Sequence, residues 1–209
     1  MQLGINLLDP TQLTLYTKPN NTRLSSPVGE RSMEGSMRKL NRYITLALKA
    51  GVDHAMVVEP SRVRTAPWVR MKCQFGCHRY GQSHCCPPRT PTPDEMRRVL
   101  DSYTCAILLH RNWKEGIQRI DAFNDAVVGA ELALFLDGYY KAWSMGSGPC
   151  RLCEKCSILG QCAHGSKARP SMEACGIDVF KTARDHDLPI SVLKDRKGER
   201  HSYGLVLVE

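Results

Sequence analysis

Thr104-Cys105-Ala106-Ile107-Leu108-Leu109-His110 is the stretch on which the fold turns. A short, unbroken apolar run of this kind reads as a buried strand. Cys105, inside it, reads as a small core residue. Its flanks are helical. Upstream, Thr92-Pro93-Asp94-Glu95 combines an N-cap Thr, a first-turn Pro and a Glu three residues after the cap, and predicts a helix to about Ser102. Downstream, Ile117, Ile120, Phe123, Val127, Val128, Leu134 and Phe135 predict a long amphipathic helix ending near Gly138. Farther out, residues 55–58 and 139–145 read as further strands. Met37, Leu40, Tyr43, Ile44, Ala47 and Leu48 recur at helical spacing before Gly51. Ser171 can cap a helix carrying Met172, Cys175, Val179, Phe180 and Ala183. Residues 190–193 and 203–208, on either side of Asp195-Arg196-Lys197-Gly198, read as a terminal β-hairpin.

Alternating strands and helices predict an α/β fold: a small, mostly parallel sheet with flanking helices, Cys-rich metal-binding loops and a C-terminal β-hairpin. Residues 1–30, with Pro10, Pro19, Asn20, Asn21, Pro27 and Gly29, read as a flexible arm, and residues 31–209 as one domain. A chain of 209 residues can bury a core without covalent staples. The net charge of +8 favours an anionic partner such as an acidic redox protein. Lys and Arg are scattered and form no long run, which argues against nucleic acid.

The ten cysteines are the anomaly. Cys73, Cys77, Cys85 and Cys86 form one window; Cys150, Cys153, Cys156, Cys162 and Cys175 form another. Residues 1–10 carry no positive n-region or long apolar h-region, and no apolar run is long enough to span a membrane. The expectation is therefore a cytoplasmic protein, in which clustered thiols signal metal or redox chemistry rather than disulfides.

Cys150-Arg151-Leu152-Cys153-Glu154-Lys155-Cys156 places three thiolates at C-x2-C-x2-C spacing, suited to one corner of a [4Fe–4S] cubane. Cys162 follows after five residues. The pattern resembles bacterial ferredoxins, except that their last gap is three and a Pro follows. The fourth ligand is thus open between Cys162, Cys175 and a cysteine of the first window. Cys150, Cys153, Cys156 and Cys162 are the candidate cluster ligands; a four-cysteine zinc site is the alternative. In the first window, Cys73-x3-Cys77 is followed by Cys85-Cys86-Pro87-Pro88 in a Gly- and Pro-containing loop. Neighbouring side chains diverge in extended chain, so Cys85 and Cys86 do not readily share one metal. Cys86, held extended by Pro87, is the better ligand. Cys73, Cys77 and Cys86 are candidate ligands of a second metal. His78, His84 and His164 are nearby imidazoles, and the helix start after Arg169-Pro170 is a possible anion site.

These segments resemble the family of predicted metal-binding proteins called domain of unknown function 2284. The resemblance is carried by Cys73-x3-Cys77, Tyr80-Gly81, Cys86-Pro87-Pro88, Gly138-Tyr139-Tyr140-Lys141-Ala142, Gly146-Ser147-Gly148-Pro149-Cys150-x2-Cys153-x2-Cys156, Cys162 and the run from Arg169 to Val179. It spans roughly residues 50–209, and Cys85 looks like an addition to it. The resemblance implies metal binding, in proteins that look like companions of anaerobic redox and corrinoid-methyltransfer systems.

Three functions follow from one or two [4Fe–4S] clusters or zinc. The first is electron transfer, or a redox accessory role, with a partner protein. The second is an enzyme with an open-site cluster at Cys73, Cys77 and Cys86; no catalytic residue is assigned. The third is a structural zinc module. Loops that follow parallel strands emerge at one sheet edge, so both windows are expected there, within about 20 Å of each other.

Overall fold

The computed structural model describes residues 28–113, 120–194 and 198–209. Most of the expected arm, up to residue 27, lies outside the described residues, as do 114–119 and 195–197. Helix α1 spans Val28–Lys49, α2 Pro67–Gly76, α3 Pro93–Asp101, α4 Ile120–Leu136 and α5 Val179–Asp185. The strands are β1 His54–Val58, β2 Ala106–Trp113, β3 Trp143–Met145 and β4 Arg200–Leu207.

The α3 start forms as its sequence predicts. The Thr92 hydroxyl accepts from the Glu95 N–H while the Glu95 carboxylate accepts from the Thr92 N–H. β2 alternates strictly. Ile107, Leu109 and Trp113 face α1 and α4; Ala106 and Leu108 face the opposite layer. β4 does the same, with Val206 towards α4 and Tyr203, Leu205 and Leu207 on the other side. Both strands are buried on two faces, which is why β2 reads as a continuous apolar run. β4 carries Gly204 because α4 lies directly on it: a Cβ there would come within 2.7 Å of Val127 Cγ2.

The sheet is not mostly parallel. It has four strands in the order β1-β2-β4-β3, and every pairing is antiparallel. The last strand of the chain inserts between β2 and β3, so the two strands expected to be joined by a parallel crossover are not neighbours. β1 ends at Val58 opposite Ala106, where β2 begins. The long connection between them therefore leaves and re-enters at one edge, as in a widened hairpin, and reverses the chain. The terminal β-hairpin is also absent: residues 190–193 form no strand, and β4 pairs with β2 and β3 instead.

The helix expected after Ser171 is broken. A single 3₁₀ turn, Glu173–Cys175, ends at Gly176, whose φ is +76°. A side chain there would need left-handed backbone and would also strike Pro93, 2.6 Å from its Cβ. The chain restarts as α5, where the Asp178 carboxylate accepts from the Lys181 N–H.

Candidate metal centre

The first window starts on a helix and continues as the expected loop: only Cys73 is helical, and Cys77, Cys85 and Cys86 lie beyond the helix. Pro67 opens α2 after an extended Ala66, a favoured position because a first-turn residue needs no N–H partner. Cys73 lies on α2, and Cys77 is the first residue beyond it, in extended backbone. The 3₁₀ turn carrying Cys175 packs on this helix. The Cys73 thiol donates to the Glu173 carbonyl at 3.9 Å, and the Ala66 N–H donates to the Gly176 carbonyl at 2.9 Å. Arg70 donates to the Thr90 carbonyl at 2.8 Å and also to that of Pro91, while the Thr90 hydroxyl donates to the Ala174 carbonyl. Burial raises the Cys73 thiol pKa, and nearby Glu173, Cys77 and Cys86 raise it further. Cys175 is pushed up to about 12, chiefly by burial, with Glu173 and Cys73 adding to it. Cys86 is buried and accepts a hydrogen bond from the Ser83 hydroxyl at 3.1 Å. Cys73, Cys77, Cys86 and Cys175 thus share one neighbourhood.

The second neighbourhood is a pocket lined by Cys85, Cys150, Cys153, Cys156 and Cys162, together with Arg79, His84 and His164. Its chain is an irregular loop following Gly148, whose φ is +68°. The Cys85 and Cys150 thiols lie side by side in this pocket. The Cys85 thiol holds Cys150 below the ordinary thiol range, aided by the Leu152 N–H and by nearby His164 and Arg79, against the opposing effect of burial. Cys150 in turn holds Cys85 far above that range. Burial raises Cys153, as do the charges of Cys156, Cys150 and Cys162.

The loop is tied down at both ends. Near its start, the Ser147 N–H donates to Asn124 Oδ1 on α4 at 2.9 Å. At its end, Arg169 holds Glu131 of α4 through two bonds, Nε–Oε2 at 2.8 Å and Nη2–Oε1 at 2.5 Å. Glu131 Oε2 also accepts from the Ser144 N–H and hydroxyl in β3. Arg169 is therefore engaged by a carboxylate rather than offered to an external anion. His84 Nε2 lies 2.9 Å from the Ser157 carbonyl oxygen, joining the two windows.

The windows do meet, but by a route other than the expected one. β3 is only three residues long, so the edge from which its loop departs matters little. The Gly146–Ser171 and Thr65–Ile177 bridges bring both loops back over the α3/α5 layer. Cys162 sits with Cys150, Cys153 and Cys156, whereas Cys175 sits apart, beside Cys73. The residue that the sequence reading missed is Cys85. The same divergence of adjacent side chains that argued against one shared metal sends Cys85 to one site and Cys86 to the other. Cys105 is buried core, its thiol pushed up to about 11 by burial.

Among the described residues, no three His, Cys, Asp or Glu side chains stand in closed ligating geometry. The thiols share a pocket, and the donor chemistry tests what that pocket suits. Five thiols and two imidazoles line it, and no carboxylate does among the described residues. Soft sulfur donors favour zinc, copper(I) or iron–sulfur clusters over magnesium or calcium.

Fold and site together define an α+β protein, with helices packed on an antiparallel sheet and a thiol-rich pocket. The chain belongs to the family described as predicted metal-binding protein (DUF2284), whose model matches residues 56–208. No curated protein and no solved structure matches it. No helix among the described residues is long and apolar enough to cross a membrane.

Proposed function

We propose that the pocket of Cys85, Cys150, Cys153, Cys156 and Cys162 holds a [4Fe–4S] cluster, and that the protein transfers electrons as a redox accessory to an acidic partner. The observation that carries this reading is the lining itself: five thiols, three of them at C-x2-C-x2-C spacing, with no carboxylate among the described residues. A bound cluster supplies one-electron chemistry, and Arg79 places positive charge beside its thiolates. Cys73, Cys77, Cys86 and Cys175 are the ligand set of a second metal. The two sites are linked by one peptide unit, which limits the Cys85 and Cys86 sulfurs to a separation of at most about 9 Å. The net charge of +8 suits docking to an acidic protein.

One observation favours the enzyme reading as the alternative. A largely apolar cavity of about 510 Å³ opens beside Cys73, lined also by Trp68, Glu173, Phe180, His201 and Tyr203. That size suits a small organic ligand.

The test is anaerobic preparation followed by iron, sulfide and zinc analysis. Cys153→Ser should remove most of the broad visible absorption, whereas Cys77→Ser should lower iron and leave that signal. One zinc per chain with no labile sulfide would refute the cluster. Loss of all iron in the Cys77 variant would point to a single centre shared by both windows.

A further inference from the structure

Three histidines form a ladder across the sheet, outside both cysteine sites. His54 on β1 lies directly opposite His110 on β2, with Nδ1 to Nδ1 at 2.9 Å. His110 Nε2 lies 3.0 Å from His201 Nδ1 on β4. The imidazole planes are near-parallel, 19° and 28° apart, with centroids 5.1 and 5.2 Å apart, and Tyr203 lies 4.6 Å from His110. The ends differ in surroundings. His54 is solvent-exposed, His110 is fully buried, and His201 lines the 510 Å³ cavity that also holds Cys73 and Glu173.

The geometry excludes a shared metal. His110 turns its two nitrogens to two different partners, so the three imidazoles have no common centre. A metal between His54 and His110 at ordinary zinc–nitrogen lengths would also hold the nitrogens about 3.3 Å apart. The observed spacings are those of N–H···N hydrogen bonds. Each junction then needs one N–H and one lone pair, and a neutral imidazole has one of each.

We propose that His54, His110 and His201 form a proton wire between solvent at the β1 edge and the cavity beside Cys73. The step balances. A proton arrives at His54 Nε2, and the His54 Nδ1 proton passes to His110 Nδ1. The His110 Nε2 proton passes to His201 Nδ1, and the His201 Nε2 proton is released into the cavity. One proton enters, one leaves, and no net charge remains on the ladder. Every ring has changed tautomer, so the wire resets only when a proton travels back. It therefore serves a group that takes up and returns a proton in alternation.

The surroundings suit neutral relay. Burial first, then His201 and His54, lower the His110 pKa to about 4, against an opposing pull from Asp53. Asp53 is itself engaged by Arg111 at 3.1 Å and by the Asn112 N–H at 2.7 Å. Tyr203, the remaining titratable neighbour, donates its hydroxyl to the Pro189 carbonyl. The wire stands on the ladder alone and does not require the metal reading.

The test is nitrogen NMR on the full chain with labelled histidine. Both junctions should show scalar coupling across the N–H···N bond. The His110 ring N–H should exchange with water despite its burial, and His54→Gln should slow that exchange at least tenfold. Glutamine can keep a hydrogen bond but cannot take on and pass a proton, so a merely structural ladder would leave the exchange rate unchanged. Should His54→Gln not fold, His201→Gln is read by the same criterion, because traffic stops when either end is blocked. Absent coupling at either junction, or unchanged exchange in the folded variant, overturns the wire. That result would leave the iron and sulfide analysis untouched.

Discussion

Arg169→Met probes what holds the cysteine loop in place. Arg169 and Glu131 are only 16% and 10% exposed at their side chains, and they meet through two short bonds. Removing one member of a buried pair costs roughly 3–5 kcal/mol, because the other is left charged and unpaired. Here the Ser144 N–H and hydroxyl still donate to Glu131 Oε2, and slight exposure admits some water. The expected loss is therefore about 2–4 kcal/mol. With a urea slope near 2 kcal/mol/M, the unfolding midpoint should fall by about 1–2 M. Arg169 also donates to the Gly165 and Ala168 carbonyls, so the loop should loosen locally as well. Metal bound at the Cys150 pocket should fall more than metal bound at Cys73. Arg169→Met combined with Glu131→Leu should recover part of the stability, since no charge is then stranded. A single variant within about 0.5 kcal/mol of the parent, with metal content unchanged, would refute this account of the anchor.

Cys150 is the pocket thiol held below its ordinary range, so in metal-free protein at pH 7 iodoacetamide should label it ahead of Cys153. Cys85→Ala removes the thiol that holds Cys150 down and should slow that labelling roughly threefold or more; an unchanged rate would separate the two thiols. His110 makes stability depend on pH. Its folded pKa, about 4, lies below the unfolded value near 6.5, so between these values only the unfolded chain takes up the proton. Stability should thus be complete above about pH 6.5, fall on acidification, and stop falling from this cause below about pH 4. The contribution is up to roughly 3 kcal/mol. Urea melts across that range should show a shallower acid limb in His110→Gln.

Local chemistry was legible where it is self-contained. The α3 cap is satisfied within four residues, and β2 announces its burial through its own side chains. Strand order is not local. Nothing in residues 200–207 says that they enter between β2 and β3, because Leu205 and Val206 read as buried strand beside any partner. The parallel crossover inferred from alternating elements failed on that point. The α2 helix had a signal in Ala66-Pro67, overshadowed by the glycine and prolines that follow it. The break at Gly176 was less visible, since the contact that excludes a side chain there comes from Pro93, more than 80 residues away in the chain. Membership of the two thiol groups was partly legible. The spacing of Cys150, Cys153 and Cys156 predicts their convergence. Cys162 and Cys175 depend on where the loop returns, and Cys85 on the direction of one side chain.

The Cys85–Cys86 pair sets a fixed gauge between the two thiol groups. A peptide plane has no soft torsion of its own, so breathing of either loop changes how the thiols point far more than how far apart their α-carbons lie. The same rigidity makes the junction intolerant of a changed chain length. One inserted residue would add a link of about 3.8 Å between α-carbons and two free torsions, converting a clamped spacing into a hinged one. At this bond the geometry of both sites is decided together.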